Sequence, residues 1–244
     1  MKAIILAAGS GLRLNGKSGG TPKCLLELGR LTLIERQVQA LRSLGISEIV
    51  PVVGYEGALV RETCGPQHSY VTNDQFATTN SLFSLWRARE HMQDGFVVLN
   101  SDVLFDERML AALLASPHED ALLFEPTENG APCLGDEEMK VRISDGRVVE
   151  ISKRMDPAIA DGENVGIVKF GRAGATLLIE HMDQLVSRGE LNAWAPRAFQ
   201  AFAADRPLFA ISTNGLAWIE IDFPEDYQRA VTEVYPRIDT GLHD

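Results

Sequence analysis

The cations and carboxylates of this chain are spaced as a phosphate-handling site would need them. A short apolar run, Ala3-Ile4-Ile5-Leu6-Ala7-Ala8, leads into Gly9, Gly11, Gly16, Gly19 and Gly20, and then into Thr21-Pro22-Lys23. Small residues let backbone N–H groups come close to a phosphate. Arg13 adds a planar fork for phosphate oxygens, and Lys23 a compact charge. Gly11, Gly16, Lys17 and Ser18 satisfy GxxxxGK[ST] as a string. A Walker loop has to open a helix, and Gly19-Gly20-Thr21-Pro22 does not start one cleanly. On these residues alone, a surface loop with two solvated cations remains the competing reading.

The carboxylates fall after strand-like segments. Asp102 follows Phe96–Leu99, at the edge where open α/β sheets bind ligands. Asp106, just before Glu107–Ala115, reads as a plain helix cap. Trp218, Glu220 and Asp222 alternate and so share one strand face. Carboxylates at i and i+2 among apolar residues are costly unless paired or metal-bound. The competing role for Asp222 is to cap the helix that Pro224 opens. Lys153 follows Val148–Ile151, and Glu163 and Asn164 precede Ile167–Phe170. The five histidines show no metal-ligand spacing, and Cys24, Cys64 and Cys133 form no CxxC pair.

These groups need a frame. Lys2–Ala7, Ile49–Val53, Ser69–Thr72, Phe96–Leu99 and Ala121–Phe124 are short strand-type runs. Between them, apolar positions 33, 34, 38, 41 and 44 keep a helical period over Leu33–Leu44, with Gly45 as its stop. Glu56–Cys64, Asn80 to about Met92, and Asp106–Ala115 read as further helices. The alternation predicts an α/β fold with a mixed, mostly parallel central sheet and helices on both faces. In the second half, Val141–Ile143 and Val148–Ile151 flank Asp145-Gly146, a hairpin signal. Ile167–Phe170, Leu208–Ile211 and Trp218–Ile221 read as strands. Ala173–Ser187, Ala195–Ala204 and Pro224–Val234 read as helices. No repeat or linker interrupts the chain, so one domain is expected over 1–236, with a loose tail at 237–244.

Composition narrows the class. Hydrophobic residues are 45% and charged residues 23% of 244, which excludes disorder, collagen or coiled coil for the whole. A net charge of −11 argues against coating nucleic acid or an anionic membrane, though not against a local basic site. No apolar run approaches the roughly 18 residues of a membrane span. The N-terminal run is also shorter than the about 7–15 residues of a secretory core. With three scattered cysteines, a reducing, cytoplasmic setting is expected.

Leu6-Ala7-Ala8-Gly9-Ser10-Gly11-Leu12-Arg13-Leu14, followed by Thr21-Pro22-Lys23, resembles the signature of nucleotidyltransferases that activate sugar phosphates and related small phosphates. The likeness continues through LIERQVQALRSLGISEIVPVVGY (33–55), NSDVLF (100–105) and WIEIDFPEDYQRA (218–230), nearly the whole chain. It implies a Rossmann-like nucleotidyltransferase fold. Asn73-Asp74 with Thr78–Trp86, and also Glu137–Val141, Ile151–Lys153 and Glu163–Ile167, resemble the phosphocholine cytidylyltransferase-like branch. Members of that branch transfer CMP to phosphocholine, aminoethylphosphonate or similar acceptors.

The implied reaction is attack of an acceptor phosphate oxygen on the α-phosphorus of CTP, with pyrophosphate leaving. Two polyanions must meet, so positioning and charge neutralisation carry the step. Mg²⁺ is the expected cofactor, held by Asp102 and Asp222 with Glu220 as a further ligand or partner. Lys23, Arg13 and Lys153 become the catalytic cations, with Lys153 on the acceptor phosphate. Ala7, Ala8, Gly9, Gly11, Asn73, Thr79, Asn80 and Ser81 are expected to bind the nucleotide. An amide side chain offers the donor and acceptor that a cytosine edge requires, and Asn80 also suits a helix cap. Lys153, Glu163, Asn164, Trp194 and Trp218 are the expected acceptor contacts. An aromatic face can hold a cationic acceptor end, with Glu163 or Glu190 beside it, although core packing is the plainer role for both rings. The expected partners are CTP, or another NTP, and a small phosphorylated acceptor, with no nucleic acid and no membrane; a homodimer is left open. Two alternatives stand: a sugar-1-phosphate or polyol-phosphate nucleotidyltransferase using another NTP, and a nucleotide-binding domain without catalysis. Joint retention of Arg13, Lys23, Asp102, Lys153 and Asp222 argues against the second.

Overall fold

The N-terminal apolar run forms the central strand β1 (Lys2–Ala7). Ala3, Ile5 and Ala7 enter one hydrophobic cluster, and Ile4 and Ala8 another. With both faces buried, the strand reads as a continuous apolar run and not as an alternating one. The structure, a computed structural model, describes residues 1–11, 20–127 and 134–238.

After β1 come a small hairpin, β2 (Glu27–Leu28) and β3 (Leu31–Thr32), and helix α1 (Leu33–Ser43). Thr32 and Glu35 start α1 as a capping box, each side chain bonding the other's backbone N–H. Then follow β4 (Ile49–Val53), α2 (Gly57–Cys64), β5 (Val71–Thr72), α3 (Ser81–Arg87), β6 (Phe96–Asn100), β7 (Val103–Phe105), α4 (Glu107–Ala115) and β8 (Ala121–Pro126). The later elements are β9 (Lys140–Ser144), β10 (Arg147–Ser152), β11 (Gly162–Phe170), α5 (Arg172–Ser187), α6 (Pro196–Asp205), β12 (Phe209–Ser212), β13 (Trp218–Glu220), α7 (Pro224–Arg229) and α8 (Tyr235–Ile238).

Among the described residues the main sheet has the order β5-β4-β1-β6-β11-β8-β12-β10-β9. Its first four strands are parallel. From β11 onward it is antiparallel except for the β8–β12 pair. The mixed sheet matches expectation, but parallel pairing is concentrated in the N-terminal half. Only a crossover gives a parallel neighbour, and β9, β10 and β11 follow one another without a crossover helix. Asp145 and Gly146 both take positive φ, 50° and 72°, and join β9 to β10 as the tight hairpin their sequence signals. The start of β11 also pairs with β9, so this half curls upon itself.

Helices α1, α2 and α4 cover one face of the sheet through Ile34, Val60 and Leu110, among others. Helices α3, α5 and α6 cover the other through Leu85, Leu178 and Phe202. Three short strands, β2, β3 and β7, escaped the sequence reading, since runs of two or three residues carry no periodicity. The helix expected over Pro224–Val234 is α7 followed by a π-helical stretch, Ala230–Val234. Its continuation α8 runs two residues past the boundary expected after Pro236. The rest of the expected tail, 239–244, lies outside the described residues. No described helix is long and apolar enough to cross a membrane.

Candidate active site

Strands β1 and β6 lie side by side and parallel, with Leu6 opposite Asn100. Their carboxyl ends therefore open together, into a cleft of about 430 Å³. Ala8, Gly9 and Gly11 line it from one strand, and Ser101 and Asp102 from the other. Ala7 sits behind them, buried in β1. Gly11 has φ +60°, and a Cβ there would lie 2.5 Å from Lys23 Cγ. The loop backbone thus passes directly against the lysine stem, which only glycine permits. Arg13 lies outside the described residues.

Lys23 opens a single 3-10 turn, Lys23–Leu25. Its Nζ forms an ion pair with Asp222 and lies 3.8 Å from Asp102 Oδ2. The two carboxylates arrive from different strands. β13 runs antiparallel to β7, placing Glu220 opposite Val103, and Ile221 N–H donates to Asp102 O at 2.9 Å. Asp102, Glu220 and Asp222 each bring an oxygen to within 4.8 Å of the others. Asp222 does not cap α7: Asp226 reaches back and accepts from the N–H groups of Asp222 and Phe223. Asp106, by contrast, is the plain cap expected, accepting from Arg108 N–H at 3.0 Å.

Burial pushes the Asp102 carboxyl up from its ordinary range; Lys23 opposes this and Asp222 adds to it. Glu220 is pushed up further, by burial first and then by Asp102 and Asp222. Three carboxylates this close, with one ammonium among them, suit a cation-binding centre. Cys24 lines the cleft beside Lys23, and burial pushes its thiol up, opposite to the shift that activates a cysteine nucleophile.

The segment expected to read the base divides into support and surface. Asn73 is 1% exposed. Its amide donates to Thr79 Oγ1 and Ser84 Oγ, both at 3.0 Å, and its Oδ1 accepts from Gln75 N–H. It braces the segment from behind and does not line the cleft. Thr79, Asn80 and Ser81 do line it. Asn80 also caps α3, its Oδ1 accepting from Ser81 N–H. It therefore caps the helix as expected while also lining the cleft.

The same segment holds the far wall. Asn80 N–H donates to Leu191 O, Leu82 N–H to Ala193 O, and Ala195 N–H to Ser81 Oγ. Trp194, 46% exposed, is carried on this strap and lines the cleft. Its ring has a cation at 5.1 Å, and that cation is the protein's own Lys153. Lys153 also lies 3.5 Å from Glu137 Oε2. Glu190, considered beside the ring, pairs instead with Arg197. Asn164 lines the cleft from β11, which begins at Gly162, five residues earlier than expected, because Gly162 and Glu163 pair with β8 and β9. The Glu163 carboxyl is pushed up to about 7, by burial and then by Glu138 and Glu125; Lys140 and Lys153 oppose this. Trp218 does not reach the cleft. It packs against the core, and its Nε1 donates to Glu125 at 3.0 Å. Phe76, Ser84 and Met139 line the cleft without having been singled out, since no spacing rule marks a lone residue that the fold turns inward.

The MobA-like NTP transferase domain family matches residues 3–189. The chain is 37% identical over 108 residues to the choline-phosphate cytidylyltransferase of Streptococcus pneumoniae, covering 43% of this chain and 46% of that one. It is 31% identical over 230 residues to the bifunctional IPC transferase and DIPP synthase of Rubrobacter xylanophilus, covering 92% of this chain and 50% of that one. The chain thus spans about half the length of each of these curated relatives. Among solved structures, the inositol-1-phosphate CTP transferase from T. maritima has the same fold, with a TM-score of 0.80 at 21% identity, covering 100% of this chain and 98% of that one. Gly9, Gly11 and Lys23 lie within the matched span, at the sheet edge where the cleft opens, and the chain belongs to the MobA-like NTP transferase domain family.

Proposed function

We propose that this chain transfers CMP from CTP to a small phosphate or phosphonate acceptor and releases pyrophosphate. The observation that carries the reading is the meeting, in one cleft, of Gly9, Gly11, Lys23, three converging carboxylates and a second cation, Lys153. CTP as the donor rests on the cytidylyltransferase relatives. In this reading the backbone around Ala8, Gly9 and Gly11 cradles the triphosphate. Lys23 neutralises charge developing at the α-phosphate, and Lys153 holds the acceptor phosphate for in-line attack. No covalent intermediate is required.

Asp102, Glu220 and Asp222 offer hard oxygen ligands close together, and their mutual repulsion is what a divalent cation relieves. They fit Mg²⁺, which when bound supplies charge neutralisation and a template for the triphosphate. The test is pyrophosphate release with four NTPs against phosphocholine, 2-aminoethylphosphonate, inositol phosphate and hexose 1-phosphates, with and without EDTA. Release with CTP and one of the small phosphates, abolished by EDTA and restored by Mg²⁺, supports the reading. Release only with another NTP and a hexose 1-phosphate moves the chain to sugar activation. No release with any pair leaves nucleotide binding without catalysis.

A further inference from the structure

The turn that carries Asp102 is held from behind by a residue with no role so far. Gln37 lies on α1 and is 2% exposed. Its Nε2 donates to Asn100 O and to Val103 O, each at 2.9 Å. Those carbonyls bracket Ser101-Asp102: one ends β6 and the other begins β7. A side-chain amide has two N–H donors, and here both are spent on the same turn. Its Oε1 is buried without a hydrogen-bond partner. That is a cost an apolar side chain of similar length would not carry. General packing of α1 therefore does not explain a glutamine at this position, whereas the two donated bonds do.

The turn also has something to resist. Asp102 must stay near Glu220 and Asp222, whose oxygens lie within 4.8 Å. Ile221 N–H ties Asp102 O from the β13 side, and Gln37 ties the flanking carbonyls from the helix side. The capping box at Thr32 and Glu35 anchors the helix that delivers it. We propose that Gln37 is a positioning residue, clamping the Asn100–Val103 turn so that Asp102 is preorganised to receive a divalent cation. This rests on the reading of the three carboxylates as the metal centre.

The experiment is direct Mn²⁺ binding to the full chain, by calorimetry, for wild type, Asp102→Asn and Gln37→Met, alongside the Mg²⁺ dependence of turnover. Outer-sphere partners of metal ligands typically change affinity by about 10–100-fold. Gln37→Met should weaken Mn²⁺ binding by that factor. It should raise the Mg²⁺ needed for half-maximal rate equally, and let kcat recover at saturating Mg²⁺. A purely structural glutamine would lower Tm without moving either metal constant, and that result overturns the clamp. Should Gln37→Met not fold, Gln37→Asn keeps an amide too short to span both carbonyls and provides the same comparison. Wild type without saturable Mn²⁺ binding, or Asp102→Asn binding as wild type does, removes the metal centre itself and the clamp with it. Loss in Asp102→Asn but not in either Gln37 variant removes the clamp alone.

Discussion

The two halves of the sheet meet the cleft with different materials. On the parallel side, past the ends of β1 and β6, backbone and small side chains, Ala8, Gly9, Gly11 and Ser101, line it beside Asp102. Asn73, the amide best suited by type to read a base, is consumed in supporting its neighbours. On the antiparallel side Lys153 and Asn164 line it, with Trp194 facing Lys153 from the loop before α6; Glu163, with Glu125 and Glu138 near it, lies at the start of β11 outside the lining. Strand register shifts there too, between Val148 and Glu150 and again between Asn164 and Val168. Under the proposed function, backbone past β1 meets what every NTP shares, and side chains beyond the antiparallel strands' ends, such as Lys153, set the acceptor preference. Lys23, pinned between Asp102 and Asp222, stands on the seam.

The seam should be the most sensitive point. Lys23→Ala is expected to lower kcat by about 10²–10³, the scale of losing one preorganised electrostatic group; near wild-type turnover in a pyrophosphate-release assay would exclude that role. Next comes the acceptor side. Lys153→Ala removes a charged hydrogen bond of roughly 1.5–3 kcal/mol. It should raise acceptor KM by tens of fold and leave CTP KM nearly unchanged. An equal rise in both would erase the proposed division between the halves.

Gly11→Ala probes the parallel side. Positive φ costs a non-glycine residue roughly 1–2 kcal/mol, and the new Cβ would press on the lysine stem. About a tenfold fall in kcat/KM for CTP is expected, with acceptor KM unaffected. Trp194→Leu should shift the acceptor constant in the same direction as Lys153→Ala but less, by about 2- to 30-fold for one lost cation–π contact. A larger effect than that of Lys153→Ala would mean that the ring touches the acceptor itself.

The smallest effect is on stability. Glu163 has its carboxyl raised to about 7 in the fold against an ordinary 4.5. Below 4.5 the group is protonated both folded and unfolded, and it costs nothing. Between 4.5 and about 7 the unfolded chain ionises while the fold keeps the proton, so stability falls across that range, and above 7 the carboxylate sits charged beside Glu125 and Glu138. Glu163→Gln should therefore raise Tm more at pH 8 than at pH 5. A gap that does not change with pH would mean Glu163 is better solvated than its surroundings imply.

Much of this architecture was legible before any coordinates. β1, β4, α1 and the Asp145-Gly146 hairpin announce themselves through apolar runs, a 3.6-residue period and a turn dipeptide, all local signals. The segment from Gly9 to Lys23 was legible through its resemblance to a family signature, since its residues alone leave a surface loop with solvated cations as a competing reading. Asp102 could be placed because it follows a strand. Of the two tryptophans the sequence reading favours Trp194 as the acceptor wall; Trp194 lines the cleft and Trp218 packs on the core, although no local signal shows which way either ring faces.

What the sequence alone determined is what short-range sterics and hydrophobic periodicity govern: the strand–helix order, the glycine-rich loop and the types of ionisable residue available. Only the tertiary structure decided which of them meet. Asp102 and Asp222 are 120 residues apart in the chain, yet β7 pairing with β13 brings them to one ammonium. Lys153 covers the ring expected for a substrate cation because β10 ends opposite the strap that Asn80 and Ser81 hold. Gln37, one of several polar residues on an amphipathic helix, is turned inward onto two carbonyls that no pattern in its own segment could reveal. Contacts of this kind depend on sheet order and register, which are set by the packing of the whole domain and not by any window of the chain.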